Sequence, residues 1–352
     1  MVRLTQMSVN TIIKDGLIEK LNYPVTVWDL DEERWHHNPS IARDKTGKIW
    51  VSTRHHEERP VVRYANISEP YTHPPSQLML GILDEKTLKV SGVKRIKPEK
   101  GSPIFILEKE IEDVRIFWRN DGLHGIGVAI NSHGFQGETR VYEIEIKIDY
   151  KKGTYKLLKD YGYIKGHMEK NWSPPSEPAK GFDYIYSPSE VVLGNKVYGK
   201  EYTGNTHGGS QAIPYKDGWI RIAHQVVNIL GLTHRWYVSV AEKLDINGFV
   251  THSSQFFDMQ TGWRPQIRES VEFVSGIVWS KGIEDEELLV SYGLRDETCA
   301  FVRLPVDIFK WKPFDPEVSY YGWKFTNGRP PIDKKYWLGE KFTGSVYKEP
   351  WT

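Results

Sequence analysis

The sequence is poor in cysteine and almost balanced in charge. Its one cysteine, Cys299, excludes an intramolecular disulfide, and its apolar neighbours (299–302) favour a buried thiol over a nucleophile. Formal net charge is +1, from 47 basic and 46 acidic residues. That balance gives no electrostatic basis for nucleic acid or an anionic membrane as a partner.

Long apolar runs are also missing. No run of about 18 apolar residues predicts a transmembrane helix, and residues 1–16 lack the apolar core of a signal peptide. Together with the single cysteine, this favours a reducing compartment, and we expect a cytoplasmic protein. Helical periodicity is scarce as well, because only Thr11–Leu21 offers a short helical candidate.

Short β-rich runs separated by turn residues fill the rest of the chain. The clearest case is 112–130, in which the two-residue turn Asp121-Gly122 separates two β-runs, a strong hairpin signal. Polar residues, a turn and a β-run recur in this order five times. The five units cover 38–54, 112–130, 169–188, 207–224 and 272–296.

Five such antiparallel units predict an all-β fold, a five-bladed β-propeller, with a β-sandwich as the alternative. No composition break or linker divides the chain, so we expect a single domain over 1–352. Its core would span about 25–312, and the aromatic, Pro-rich residues 313–352 would form an irregular tail that packs on the propeller.

Polar residues at the strand mouths would converge at one end of the propeller axis. Carboxylates, cations and an imidazole in one cavity would permit acid–base chemistry. The alternative for each residue is a hydrogen bond or salt bridge between blades. The residues expected there are Asn38, Arg54, Asp113, Arg115, Lys170, Asn171, His207, His224, Tyr292 and Asp296.

Other site types have weaker support. The pairs His36-His37 and His55-His56 suggest a metal site, but neighbours on a strand point to opposite faces, so each pair offers one ligand at most. We expect neither a metal nor a cofactor. The chain has no Gly-x-Ser-x-Gly elbow and no Gly-rich nucleotide signature before a helix.

The ordered motifs across residues 36–305 resemble a known family. They are Asn38-Pro39-Ser40, Glu112-Asp113-x-Arg115, Glu169–Pro174, His207-Gly208-Gly209, His224 and Tyr292-Gly293-x-x-Asp296. The set resembles the β-mannoside phosphorylases of glycoside hydrolase family 130 and the related five-bladed propeller β-1,2-mannosyltransferases and glycosidases.

The resemblance implies an inverting mechanism with one carboxylate, Asp113, as general acid/base. It protonates the leaving oxygen, in many members through a sugar hydroxyl. Sugar-binding roles then fall to Asn38, Arg54, Lys170, Asn171, Trp172, His207, Tyr292 and Asp296. Arg115 and His224 would hold phosphate or another anion. Trp172, in a Pro-rich loop, is the better stacking candidate, whereas Trp118 lies within a β-run.

Two departures from the family pattern bear on the reaction. Val114 replaces a proline after the acid, a local change. Tyr186-Ser187-Pro188 stands where phosphorylases carry His-Arg-Pro, so a phosphate-binding arginine is missing. This favours hydrolysis or transfer from an activated donor, with a non-catalytic sugar-binding propeller as a further alternative. The expected partner is a carbohydrate, with phosphate or a sugar donor as co-substrate, and an oligomer stays open.

The strand geometry sharpens the expectation for Asp113. Simple alternation puts Asp113 and Arg115 on one face of the strand and Glu112 on the other, in a contact between blades. Arg115 would favour the ionised carboxyl, whereas burial would favour the protonated one. Direct proton donation needs burial to dominate, and a relay through a substrate hydroxyl does not.

Overall fold

Nearly all of the secondary structure that the structure describes is β-strand. The structure is a computed structural model, and all that follows concerns the residues that it describes. These are 18–21, 23–28, 35–56, 76–103, 106, 110–131, 138–148, 153–162, 171–202, 206–229, 234–259, 272–280, 286–294 and 298–314.

The first eight-stranded sheet joins two four-stranded antiparallel meanders. The first meander is β3 (Trp35–Arg43), β4 (Ile49–His56), β5 (Gln77–Asp84) and β6 (Lys89–Pro98). The second is β7 (Glu112–Arg119), β8 (Gly122–Asn131), β9 (Glu138–Ile148) and β10 (Gly153–Asp160). A short parallel pairing of β6 with β10 connects their outer strands.

Two further sheets follow along the chain. A three-stranded sheet contains β11 (Tyr184–Ser187), β12 (Glu190–Leu193) and β13 (Lys196–Gly199). A second eight-stranded sheet centres on β16 (Gly218–Ile229) and β17 (His234–Leu244). Its shorter strands are β1 (Ile18–Lys20), β14 (Thr206–His207), β15 (Ile213–Tyr215), β18 (Val250–Ser253), β19 (Phe256–Asp258) and β23 (Lys312–Pro313).

The last sheet combines both ends of the described chain. Its strands are β2 (Val25–Trp28), β22 (Thr298–Pro305), β21 (Glu287–Leu294) and β20 (Glu272–Trp279). A 3-10 helix, Val306–Ile308, follows β22. The predicted helix over 11–21 is wrong at its end, where β1 pairs with β19. Its start lies outside the described residues.

Burial distinguishes inner strands from outer ones. β20 and β21 are buried along almost their whole length, whereas the outer strand β6 alternates between exposed and half-buried residues. A strand covered on both faces reads as a continuous apolar run, which explains why 272–279 and 287–294 show little polar alternation. Leu288, Val290 and Tyr292 accordingly lie in the largest apolar cluster.

Inner strands of different groups contact one another through side-chain hydrogen bonds to the backbone. The Ser52 hydroxyl donates to the Val114 carbonyl at 2.8 Å, and the Ser275 hydroxyl donates to the Pro39 carbonyl at 2.8 Å. The Gln211 amide donates to Ile41 at 2.5 Å. These bonds satisfy buried backbone oxygens between the sheets and bring their polar strand mouths together.

The all-β prediction is confirmed. If the first sheet is divided at its β6–β10 pairing, the described strands form five mainly antiparallel groups, and β1 and β2 from the start of the chain join the last two. The predicted turn Asp121-Gly122 separates two strands, as do the turns Thr46-Gly47 and Asp217-Gly218. The division into five blades, the single domain and the packing of 315–352 stay predictions. In the described part of the chain, no helix has the length and apolar character to cross a membrane.

Candidate active site

Three residues of the predicted site have left-handed backbone conformations: one lies within β3, one at the start of β7 and one before β11. Asn38, Asp113 and Asn171 have φ of 50°, 50° and 62°, and they are three of seven described non-glycine residues with positive φ. Such conformations cost of order 1–3 kcal/mol each and concentrate at functional sites. All three belong to the motifs from which a site was predicted.

Two bulges produce this geometry. The register of β3 against β4 shifts between His37 and Ser40, and that of β7 against β8 shifts between Glu112 and Arg115. A bulge leaves a residue outside the ladder and re-aims its side chain. Asn38 and Asp113 occupy these positions and turn toward each other across the gap between the first two meanders.

The Asp113 carboxylate makes its contacts through one oxygen. The Asn38 amide donates a hydrogen bond to Oδ1 at 2.9 Å. The Arg54 Nη1 lies 3.6 Å from the same oxygen, an ion pair beyond hydrogen-bond distance. Among the described residues, no hydrogen-bond donor is bound to Oδ2. The side chain is 23% exposed, so this oxygen is the polar atom available to a ligand.

Opposing effects act on the charge of Asp113. Desolvation raises the pKa of its carboxyl, but the Arg54 charge and the Asn38 hydrogen bond lower this pKa, and their effect is larger in sum. Arg115 and His37 add smaller effects in the same direction, and the resulting pKa is about 2. Asp113 is therefore ionised at neutral pH in the free protein, so it begins as a proton acceptor.

Glu112 shares Arg54 with Asp113. Its Oε1 lies 2.7 Å from Arg54 Nη2 and accepts a hydrogen bond from the Ser76 hydroxyl at 3.1 Å. The alternation argument is wrong here because the bulge lets both adjacent carboxylates reach one guanidinium. Ser76 was not predicted as a site residue, since it precedes a strand and carries no motif signal of its own.

Arg115 is bound on all sides by protein oxygens. Its Nε donates to the Gly209 carbonyl at 2.7 Å, its Nη1 to the Asp113 carbonyl at 3.0 Å and its Nη2 to Asn171 Oδ1 at 3.0 Å. Burial lowers the pKa of Arg115 to about 10, and the nearby Asp113 charge partly offsets this. Arg115 thus ties three β-groups together around Asp113.

A chain of ring contacts extends from Arg115 through Phe273 and His224 to Tyr237. Its guanidinium carbon lies 5.1 Å from the centre of the Phe273 ring, in cation–π geometry. Phe273 meets the buried His224 edge-on at 4.9 Å, and His224 stacks on Tyr237 at 5.3 Å. His207, the cross-strand partner of His224, is exposed. The two histidines therefore lie beside the carboxylate cluster, joined to it through Phe273.

Two predicted sugar-binding residues are packed as core. Trp172 is 2% exposed and meets Tyr161 edge-on at 5.2 Å and Tyr186 at 5.8 Å. Stacking on a sugar would require these rings to move. Tyr292 is fully buried in the largest apolar cluster.

The glycine after Tyr292 has a direct link to the site. A Cβ on Gly293 would overlap Asn38 Oδ1, so only glycine lets Asn38 approach β21 this closely. The Tyr292-Gly293 motif therefore positions Asn38 through its backbone.

The remaining predicted features are two site residues outside the described part of the chain and the two histidine pairs. Lys170 and Asp296 lie outside the described residues, so their sugar-binding roles stay predictions. The rings of His36 and His55 lie 4.5 Å apart, centre to centre, and those of His37 and His56 5.0 Å apart, both pairs with tilted planes. No group of three or more potential metal ligands exists among the described side chains.

Position 187, where phosphorylases carry arginine, has an acidic neighbour. The buried Ser187 hydroxyl donates to Glu190 Oε2 at 2.7 Å. Glu190 is itself buried. A carboxylate in this place would repel a phosphate dianion rather than hold it.

Comparisons with known proteins relate this geometry to solved structures. No family model matches the chain, and no curated protein matches its sequence. A β-1,2-mannobiose phosphorylase from Listeria innocua, in complex with β-1,2-mannobiose, superposes with a TM-score of 0.53 at 14% identity. The alignment covers 82% of this chain and 98% of that chain.

Two further solved structures have the same degree of similarity to this chain. One is a mannose phosphorylase from Leishmania mexicana in complex with phosphate ion, with a TM-score of 0.53, 13% identity and coverage of 83% and 90%. The other represents glycoside hydrolase family 130 of mannoside phosphorylases, which contains hydrolases that target β-1,2 mannosidic linkages in Candida mannan; its TM-score is 0.53, identity 13% and coverage 80% and 86%. The resemblance seen in the motifs is confirmed at the level of the fold.

Proposed function

We propose that this protein is an inverting carbohydrate-active enzyme that cleaves or transfers a mannose-like glycosyl unit, with Asp113 as its acid/base. The observation that carries the proposal is the Asp113 carboxylate itself. It sits on a left-handed backbone, its Oδ1 is held by Asn38, and no described hydrogen-bond donor occupies its Oδ2. A strained, incompletely satisfied carboxylate at a strand mouth is what a reacting group needs and a structural one avoids.

The ionised state of Asp113 defines its first step. In the transfer direction this carboxylate, with a pKa of about 2, accepts the proton of the acceptor hydroxyl that attacks the anomeric carbon. In the cleavage direction Asp113 begins with that proton and gives it to the departing glycosidic oxygen, directly or through a sugar hydroxyl, while a water molecule supplies the nucleophile and releases its own proton to solvent. Attack from the face opposite the leaving group inverts the anomeric centre.

The surroundings favour a neutral nucleophile over phosphate. Arg115 uses Nε, Nη1 and Nη2 on protein oxygens, and Arg54 is shared by two carboxylates. Ser187 is bonded to Glu190 where phosphorylases place a cation. Hydrolysis, or transfer to a sugar hydroxyl from an activated donor, therefore agrees better with these contacts. Transfer has the added support that an ionised Asp113 is ready to deprotonate an acceptor.

A product assay separates these reactions. β-Linked mannobioses are incubated with and without inorganic phosphate, and mannose with mannose 1-phosphate or a nucleotide-activated mannose, while NMR follows the anomeric signals. We expect phosphate-independent cleavage, or disaccharide synthesis from the nucleotide-activated donor, with an inverted anomeric centre. Fast phosphate-dependent release of mannose 1-phosphate, or its reverse, disaccharide synthesis from mannose 1-phosphate, would contradict our choice of nucleophile. Sugar binding by calorimetry without turnover in any arm would support a non-catalytic propeller instead.

A further inference from the structure

Arg54 divides its charge unequally between two carboxylates. Its Nη2 is 2.7 Å from Glu112, a hydrogen-bonded ion pair, whereas its Nη1 is 3.6 Å from Asp113. A guanidinium normally prefers to grip one carboxylate with two parallel hydrogen bonds. Here the two terminal nitrogens contact different carboxylates, and the shorter contact is to Glu112, which has no proposed chemical role.

Ser76 closes this arrangement into a triangle. Its hydroxyl accepts a hydrogen bond from Arg54 Nε at 2.9 Å and donates to Glu112 Oε1 at 3.1 Å. Two of the three guanidinium nitrogens are therefore fixed on the Glu112 side. The triangle is largely buried, with side-chain exposures of 9% for Arg54 and 12% for Glu112, so water screens it little.

We propose that Glu112, together with Ser76, is a positioning residue that holds Arg54 back from Asp113. At 3.6 Å the arginine supplies charge to Asp113 without taking up its hydrogen-bonding capacity. Asp113 then keeps an oxygen for the reacting hydroxyl. This inference rests on the proposed function of Asp113, and it assigns Glu112 a role that neither strand alternation nor the motif indicated.

The consequence of removing the Glu112 charge follows from the same geometry. In Glu112→Gln the ion pair to Nη2 is lost, and we expect Arg54 to close on Asp113 with two hydrogen bonds. Both oxygens of Asp113 would then be hydrogen-bonded to Arg54, and neither could accept a proton from the reacting hydroxyl. We expect kcat to fall about a hundred-fold, the order that a misplacement of about 1 Å costs, and KM to change little.

The pH profile supplies a signature that a purely structural role would not give. A closer Arg54 and a missing neighbouring anion both favour the ionised form of Asp113. The acid limb of kcat/KM in Glu112→Gln should therefore move to lower pH. Glu112→Asp keeps the charge and should recover most of the lost kcat. Ser76→Ala removes the Nε anchor and one hydrogen bond to Glu112 but leaves the Glu112–Arg54 ion pair, so its kcat should fall between wild type and Glu112→Gln.

A crystal structure of Glu112→Gln tests the inference without any turnover. The gap between Arg54 and Asp113 should shrink from 3.6 Å to below about 3.2 Å. If the wild type has no activity on any sugar while this gap closes, the proposed function fails and the positioning role holds. An unchanged gap, or a wild-type kcat in the folded variant, overturns the positioning role. If Glu112→Gln does not fold, the structure and pH profile of Ser76→Ala decide in the same way.

Discussion

Two carboxylates in the second meander, Asp113 on β7 and Glu143 on β9, have opposite surroundings. Glu143 accepts hydrogen bonds from the hydroxyls of Tyr184 at 2.6 Å and Tyr161 at 3.1 Å, both on Oε2. His124 Nδ1 lies 3.3 Å from its Oε1. Both oxygens are thus occupied. Desolvation raises the pKa of Glu143, but its hydrogen bonds and the Arg119 charge outweigh this effect, so the pKa is lowered.

Asp113 has one held oxygen and a left-handed backbone. Both acids are ionised and partly buried, so neither charge nor burial distinguishes them. The difference lies in their hydrogen bonds. Both oxygens of Glu143 have partners, whereas Asp113 has a strained backbone and only one bonded oxygen. This incomplete set of hydrogen bonds is the feature that leads us to propose Asp113, rather than Glu143, as the reacting group.

Exchange of each acid for its amide provides the largest contrast. Asp113→Asn keeps the shape but cannot take up a proton, and we expect a loss of about a hundred- to ten-thousand-fold in kcat, with sugar binding retained in calorimetry. Glu143→Gln serves as the matched control and should keep its kcat. An Asp113→Asn protein that turns over like the wild type would remove Asp113 from the mechanism.

Gly293→Ala disturbs the site from the neighbouring sheet. The added methyl overlaps Asn38 Oδ1 and should displace the amide from Asp113, which we expect to lower kcat about a hundred-fold. Gly92→Ala is the control, because Gly92 has a positive φ of 62° and open space around it, so that alanine strains the backbone there without contacting the site. Both variants should lose stability in urea unfolding, and only Gly293→Ala should lose activity. Equal activity of the two would show that Asn38 does not depend on this contact.

Glu143→Gln should act on stability where Asp113→Asn acts on rate. The amide cannot accept all the hydrogen bonds that converge on the carboxylate, so buried hydroxyls lose their partner. We expect a decrease of about 1–3 kcal/mol in the free energy of unfolding, read from urea titrations. Tyr184→Phe, which removes the shortest of these hydrogen bonds, should show a decrease of the same sign. No change in either variant would mean that the network adds nothing.

The smallest expected effect is the acid dependence of stability. The folded pKa of Asp113, about 2, lies below the unfolded value of roughly 3.9, so its ionisation stabilises the fold above the unfolded pKa. This contribution is lost as pH falls from about 4 to about 2. The difference in unfolding free energy between wild type and Asp113→Asn should stay constant from pH 7 to 5 and shrink below pH 4. A difference independent of pH would contradict the lowered pKa.

The regular parts of the molecule were predictable because their signals are local. Asp121-Gly122 and Asp217-Gly218 allow tight turns, and the apolar runs beside them form the expected strands. The contacts of Asn38 and Arg54 with Asp113 agree with the motifs that placed these residues in one region, and their roles in sugar binding stay predictions.

The finer geometry of the site depends on pairing, which no local pattern records. The bulges at 37–40 and 112–115 arise from register shifts against partner strands, and they overturn the alternation argument for Glu112. Ser76 reaches the site only because β4 and β5 are neighbours. Trp172 looked like a loop residue, yet its contacts with Tyr161 and Tyr186 arise from tertiary packing.

The sheet formed by β2, β22, β21 and β20 sets an order of events during synthesis. Val27 on β2 pairs with Ala300 on β22, so β2 cannot pair until the ribosome has added some 270 further residues. Groups made of consecutive strands can form as they emerge, whereas this sheet needs nearly the whole chain. The Asn38–Gly293 contact lies beside the same closure. The site is therefore completed in one of the last folding steps, and a nascent chain that stops before β22 would have Asp113 but lack the strand that joins β2 to β21.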